Sequence, residues 1–403
     1  MAFVAPLIPP LCPVATSQST VSNSQTQSSA VTDTATLNVV ELSGAAGGSS
    51  AATGDAMSAQ TESGSLNVQT TQSLTAPVSA TTTAAVSTSI GGQTTLTTQA
   101  TGNSGVTGSY GAGALTGTVT QSVAAGGALT AQGLFQASGA QAQGVSTSTT
   151  ALGNTHEVAV TDTGATTTVN QTVGANITAN DNAVLSYTPA TGSFAATAVA
   201  NTATGLGTGQ ASQALTINQQ ANGQTVAEED ANIGNGQAVA GAATASANSI
   251  AVSNENGGLN VVDTQSSTAY AQSQSQVSSY QFGSGSAAAL GEANGMIAGN
   301  EGPSLTLDNT QTSSGAGLEV LAKFTGGAGY DASASATAVG NSATGYACSD
   351  CNGVVNVNSS QTSSTTLSAT SEIDISGANR SVNAASSATG NTATFYVSKP
   401  SSH

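Results

Sequence analysis

Few residues in this chain are of a type that carries chemistry, and none stands at a spacing that performs it. His156 and His403 are the two histidines. An imidazole acts as a base only within hydrogen-bond reach of a nucleophile or substrate. His156-Glu157 precedes the strand-like Val158-Ala159-Val160 and reads as a turn residue. Cys348 and Cys351 enclose Ser349-Asp350. Two thiols with no second ligand pair do not build a tetrahedral zinc site, and a redox Cys-x-x-Cys opens a helix in a βαβ setting. The expectation is a small disulfide clamping a turn, as suits an exported protein. Glu228-Glu229-Asp230 is the one acidic run. It reads as a solvated turn, with a divalent-cation site as the rival reading. No glycine run leads into Gly-Lys-Ser/Thr, the calcium nonapeptide does not recur, and no cluster of acids suits sugar cleavage. The reading is of a protein that is not an enzyme and has no cofactor.

Composition sharpens this. Of 403 residues only 6% are charged, and 3 Lys+Arg stand against 20 Asp+Glu for a net charge of −17. Lys323, Arg380 and Lys399 cannot neutralise a run of phosphates, which argues against nucleic acid, and anionic membrane surfaces are disfavoured on the same ground. The apolar fraction is mostly Ala and Val, there is no Trp, and 47 residues are Gly. An ordinary core of large side chains is not available. Disordered acidic chains are usually rich in charge and Pro, and this chain is rich in neither.

Elements able to organise such a chain come from its periodicity. An aliphatic, one residue, another aliphatic, three polar residues and a Gln recur as Leu66, Val68, Gln72; Leu259, Val261, Gln265; Leu305, Leu307, Gln311; and Val355, Val357, Gln361. Looser copies end at Gln27, Gln121, Gln171 and Gln220, so that successive Gln residues lie 45–50 residues apart. About 30 residues after each Gln comes a second marker, small residues followed by Asn or an acid: Asp55, Asn103, Asn154, Asn201, Asn248, Glu292, Asn341 and Asn391. Two independent markers keep one period of about 48 residues, which identifies eight repeats.

Within a repeat the aliphatics and the Gln share parity and face one side of a strand. Val355, Val357, Ser359, Gln361 and Ser363 form one face, with Asn356, Asn358, Ser360 and Thr362 opposite. Ala332, Ala334, Ala336 and Ala338 keep one parity until Gly340-Asn341, after which the small residues shift to Ala343 and Ala347, as a bulge or tight turn would require. Thr, Val, Ser, Asn and Gly disfavour helix. The fold class expected is all-β, a β-solenoid in which each coil buries its edges against the next, with an inward Gln ladder and a turn column at the Asn positions. Whether a repeat forms one coil or two is open at this level. Stacked acids of like charge would repel across about 4.8 Å, so acids are expected to avoid equivalent positions. Residues 1–15 read as an apolar leader or anchor segment, and 16–403 as the repeat domain.

With almost no Lys, Ser/Thr alternation, and regular Gln and Gly-Asn columns, the chain resembles curlin-type secreted fibre subunits in style, and over its whole length the holdfast-anchor protein D family of stalked bacteria. That resemblance implies an extracellular protein, attached at the outer membrane, that helps hold an adhesive polysaccharide to the cell alongside a curlin-like partner and a secretion pore. From the residues themselves, self-assembly head to tail is expected, with the β-prone Phe395-Tyr396-Val397 as the joining end. The alternative is a monomeric glycan- or ice-binding solenoid. Ice binding needs regular Thr-x-Thr columns, and Thr81-Thr82-Thr83 and Thr166-Thr167-Thr168 do not recur at matched positions.

Overall fold

A computed structural model describes residues 18–348 and 353–398. The expected leader and Cys351 lie outside them. Every element is a strand, and every strand pairing is parallel. The first coil holds β1 (Gln18–Gln27), β2 (Val31–Leu42) and β3 (Ala46–Thr61). Six coils follow, each a short strand and a long one: β4 (Ser65–Leu74) and β5 (Val78–Tyr110), β6 (Ala114–Val123) and β7 (Leu129–Thr161), β8 (Gly164–Val173) and β9 (Ile177–Thr208), β10 (Ser212–Ala221) and β11 (Thr225–Asn254), β12 (Gly258–Ser267) and β13 (Ala271–Asn300), β14 (Ser304–Ser313) and β15 (Leu318–Cys348). The eighth coil holds β16 (Val354–Ser363), β17 (Leu367–Ile375) and β18 (Ser381–Ser398).

The short strands stack in the order β1-β4-β6-β8-β10-β12-β14-β16, and the long ones in the order β2-β5-β7-β9-β11-β13-β15-β17, with β3 on β5 and β18 on β15. Residues one repeat apart therefore sit on neighbouring rungs: each repeat is one large coil. At about 4.8 Å per rung the rod is about 40 Å long.

A strand of some 30 residues cannot run straight through a rod this size, and each long strand bends twice at conserved register. The first bend, around residues 234–237 in β11, carries a register shift between Gly236 and Ala238 against β9. At the second, alternation slips by one: Ala100, Thr101, Gly102 and Asn103 are all buried in sequence in β5. Each coil thus has four legs. Between the first two legs of the long strand lies a narrow core of Ala, Val and Phe, with Phe135, Phe194 and Phe324 at its far end and mostly Ala near its base. Between its last leg and the short strand lies a second core, with Leu215, Ile217, Leu259, Leu305 and Leu307 on one side and Val158, Val160, Ile250 and Met296 on the other. Small side chains are selected because parallel legs approach closely and leave no room for large ones.

Candidate functional site

Where the two cores meet, a spine of amides runs the length of the rod. Gln72, Gln121, Gln171, Gln219, Gln265 and Gln311 are buried, one per coil. Gln265 shows the pattern: its Nε2 donates to Gln219 Oε1 at 2.9 Å and to Gly295 O at 3.0 Å, while its Oε1 accepts from Gln311 Nε2 at 2.7 Å. The series extends from Gln72 on Gln25 to Gln361 on Gln311. Facing it is an asparagine series, in which Asn248 Nδ2 donates to Asn294 Oδ1 at 2.8 Å and to Ser266 O at 3.0 Å and Oδ1 accepts from Asn201 at 2.9 Å. Each buried amide in mid-rod is thereby satisfied twice as donor and once as acceptor, which removes the penalty of burying it.

The two series lock together. Each Gln bonds the carbonyl of the residue after the Asn of its own coil, as Gln121 does Thr155 O. Each Asn bonds the carbonyl of the residue after the Gln one coil on, as Asn154 does Thr172 O. Glutamines donate toward the N-terminal end and asparagines toward the C-terminal end, so the two rows of amide dipoles oppose and cancel.

Three positions differ from the sequence reading. Gln25, not Gln27, pairs with Gln72; Gln27 turns to Ser29 O. Gln219, not Gln220, is the inward residue of the fifth coil; Gln220 is exposed and lends the spine only its carbonyl, to Asn201. Asn294, not Glu292, stands on the rung between Asn248 and Asn341, and Glu292 instead accepts from Ser342 Oγ of the next coil at 2.5 Å. Asp55 does occupy the Asn103 rung. These Asn positions form a bend inside continuous strands, their side chains turned inward, and not a solvent-facing turn.

The acids and His156 are where the sequence reading departs furthest from the structure. Glu229 lies in β11, pointing inward at 1% exposure, not in a solvated turn. It stands directly on the rung of Asp181, so stacked acids are not avoided here. Thr147 and Thr149 donate to Asp181, and Ser275 donates to Glu229 at 2.6 Å. Burial pushes Asp181 up to about 6 and Glu229 well above the carboxylate range, and the neighbouring Asp181 charge adds to the latter. Gly133 and Gly241 make the space: a Cβ at either would fall within 2.6 Å of the Asp181 or Glu229 carboxylate. Asp263 is buried between Ile217 and Asn309, and burial pushes it well above the usual range as well. His156 is inside β7, with Nε2 3.1 Å from Thr107 Oγ1, and burial depresses it to about 4, which keeps it neutral. Among the described residues no three His, Cys, Asp or Glu gather as metal ligands.

What repeats along the described residues is the hydrogen-bonded amide spine. A family model described as holdfast attachment protein D matches residues 40–317. The chain belongs to that family. No curated protein and no solved structure matches it. Membership of the holdfast attachment family implies a role in holdfast attachment and, with it, a cell-surface setting.

The match spans the second to sixth coils entirely. The remaining sequence-derived residues lie at its C-terminal end. Cys348 closes β15 and is disulfide-bonded. Intact-mass measurement of non-reduced protein with thiol labelling is expected to find Cys348 blocked; a labelled Cys348 overturns this. Phe395 packs against the second core, whereas Tyr396 and Val397 are exposed at 44% and 47%. Tyr396 stacks on Tyr346 with ring centroids 5.8 Å apart. On the outer faces Lys323–Glu372 and Arg380–Asp331 join the last two coils.

Proposed function

We propose that this protein is a non-enzymatic, extracellular structural element, a stiff β-solenoid that anchors adhesive polysaccharide to the bacterial surface. The observation that carries the reading is the family match over residues 40–317. Physical support comes from the unbroken amide spine and the all-parallel stacking. A load applied along such a rod is shared by several backbone ladders and, from the second coil to the eighth, by two side-chain ladders.

Fibre or rod assembly head to tail is part of the same reading. In the eighth coil the inward Val355, Val357 and Gln361 are only partly buried, whereas Leu305, Leu307 and Gln311 one rung earlier are fully buried. Among the described residues no further rung lies over that face, which has the chemistry of an interior, and unpaired strand edges recruit further strands. A second copy's first coil matches it in polarity, since glutamines donate toward the N-terminal end. Curlin-like partners, a secretion pore and attachment at the outer membrane belong to the proposal on the strength of family resemblance.

The test is deletion of the gene in its own bacterium, with holdfast followed by labelled lectin under flow. The expected result is holdfast that is made but shed from cells, restored by the intact gene. Holdfast that stays attached without the protein sinks the anchoring reading. Light scattering across pH 4 to 7 tests the assembly part separately, and a strictly monomeric protein at high concentration overturns it.

A further inference from the structure

The first bend of the long strands forms a ridge along the rod, and beside it lies an open groove of about 400 Å³. Tyr187 of β9 stands at one end and Tyr330 of β15 at the other, with Asn235 and Gln237 of β11 and Gln281 of β13 between them. These residues occupy four successive rungs, since Asn235 pairs with both Tyr187 and Gln281, and Gln281 pairs with Ala328. Three rung spacings give about 14 Å, the length of about three linked pyranose rings.

The floor is shaped to stay open and flat. The Phe282 ring, only 5% exposed, is held edge-on against Phe324 with centroids 4.9 Å apart. A Cβ at Gly329 would come within 2.4–2.6 Å of that ring, so only glycine leaves the ring in place. The end walls are aromatic and exposed, Tyr187 at 43% and Tyr330 at 63%. Arg380 lies over one face of Tyr330, 5.7 Å from its centroid, and is neutralised by Asp331. Among the groove-lining residues there is no ionisable group other than the tyrosines.

We propose that this groove is a binding site for a neutral polysaccharide segment, which names the contact surface within the anchoring function proposed above and rests on that reading. Flat C–H faces of pyranose rings suit the apolar body of tyrosine, while the phenol oxygens and the Asn and Gln amides offer both donors and acceptors to sugar hydroxyls. A net charge of −17 opposes polyanions. A peptide strand would instead need a free sheet edge, and the backbone of Tyr187, Asn235 and Gln281 is already paired on both sides. A shallow site of this kind is weak by itself, and many copies on a surface compensate by avidity.

The experiment uses the full chain in affinity electrophoresis and calorimetry with β-linked oligomers and polymers of glucose and of N-acetylglucosamine, with heparin and alginate as polyanionic probes. Binding to a neutral glycan is expected, reduced at least tenfold in a Tyr187→Ala/Tyr330→Ala double variant and unchanged in Tyr280→Ala, whose exposed ring lies outside the groove. Circular dichroism checks that each variant stays folded. Absence of binding to every neutral glycan, equal binding by the double variant, or a preference for the polyanions or for unstructured peptides overturns the proposal. Shedding assays separate this from the broader reading. A double variant that restores full holdfast retention in the deletion strain removes the groove and leaves anchoring standing, whereas retention without the gene removes anchoring alone.

Discussion

Gln311→Glu is expected to lower the stability of the rod at pH 7 by about 5 kcal/mol and Gln311→Leu by about 3 kcal/mol, with the order reversed in acid. The side chain is fully buried, and its Nε2 donates to Gln265 Oε1 and to Ser342 O, both at 2.7 Å. Leucine removes the side-chain donor to both of these acceptors and leaves one Gln361 N–H without its acceptor, the other still bonding Thr392 O. Glutamate keeps the bond from Gln361 but turns a carboxylate oxygen toward two oxygen acceptors in a dry interior. Once protonated it regains one donor, and the cost then falls below that of leucine. Denaturation midpoints of the two variants at pH 7 and pH 4.5 check both the order and its reversal. Equal midpoints for the two variants at pH 7 would show that the column is not the buried spine described here.

The second expected result is that the intact protein gains stability on mild acidification, against the usual behaviour of soluble domains. A carboxyl whose pKa is raised by folding contributes stability that is complete below its unfolded value and is lost as pH rises through its folded value. Asp181, raised from 3.8 to about 6, loses about 3 kcal/mol across that window. His156 acts in the opposite sense. Depressed from 6.5 to about 4, it contributes stability above its unfolded value that is lost as pH falls toward 4, again about 3 kcal/mol. The two nearly cancel. Glu229, Asp263 and Glu292 are all raised, burial being the chief cause in each, with no further buried histidine among the described residues to offset them. Relief of repulsion among the excess acids acts in the same direction. The denaturation midpoint is therefore expected to be higher at pH 5 than at pH 8.

Asp263→Asn isolates one part of this. Neither carboxylate oxygen of Asp263 has a hydrogen-bond partner, and Asn309 Oδ1 on the next rung has none either. An amide supplies the missing donor without the charge. It is expected to stabilise the protein by about 2 kcal/mol at pH 8 and by little at pH 4. A variant that is destabilised at pH 8 would contradict the account of Asp263 as a neutral acid packed inside.

Much of this architecture was legible in the chain before any coordinates. Parity alone assigns Leu259, Val261 and Gln265 to one face, and they are buried together. Two markers at one period define eight repeats, and the slip at Gly340-Asn341 marks the bend that the structure places there, with Gly340, Asn341, Ala343 and Ala347 all inward. Strand alternation is local, since it follows from the two-residue repeat of the extended backbone, and a local property can be read from a sequence.

What the sequence by itself determined is therefore the class of element, the number of repeats and the inward face of the clearest motif copies, such as Leu259, Val261 and Gln265. Parity itself separates Gln219, which shares the face of Leu215 and Ile217, from the Gln220 of the looser motif copy, and Gln219 is the residue that meets Gln171 one coil away. Only tertiary structure decided Asn294 over Glu292, one coil per repeat, and the mutual lock between the glutamine and asparagine rows. Burial of Asp181, Glu229, Asp263 and His156 also escaped the sequence. Polar types are ordinarily solvated, and for Asp181, Glu229 and His156 a glycine (Gly133, Gly241) or a hydroxyl from a neighbouring coil made room or supplied a bond, whereas Asp263 is buried without a partner. Those partners lie 12 to 49 residues away along the chain and are adjacent only after the long strands have folded back and the rungs have stacked.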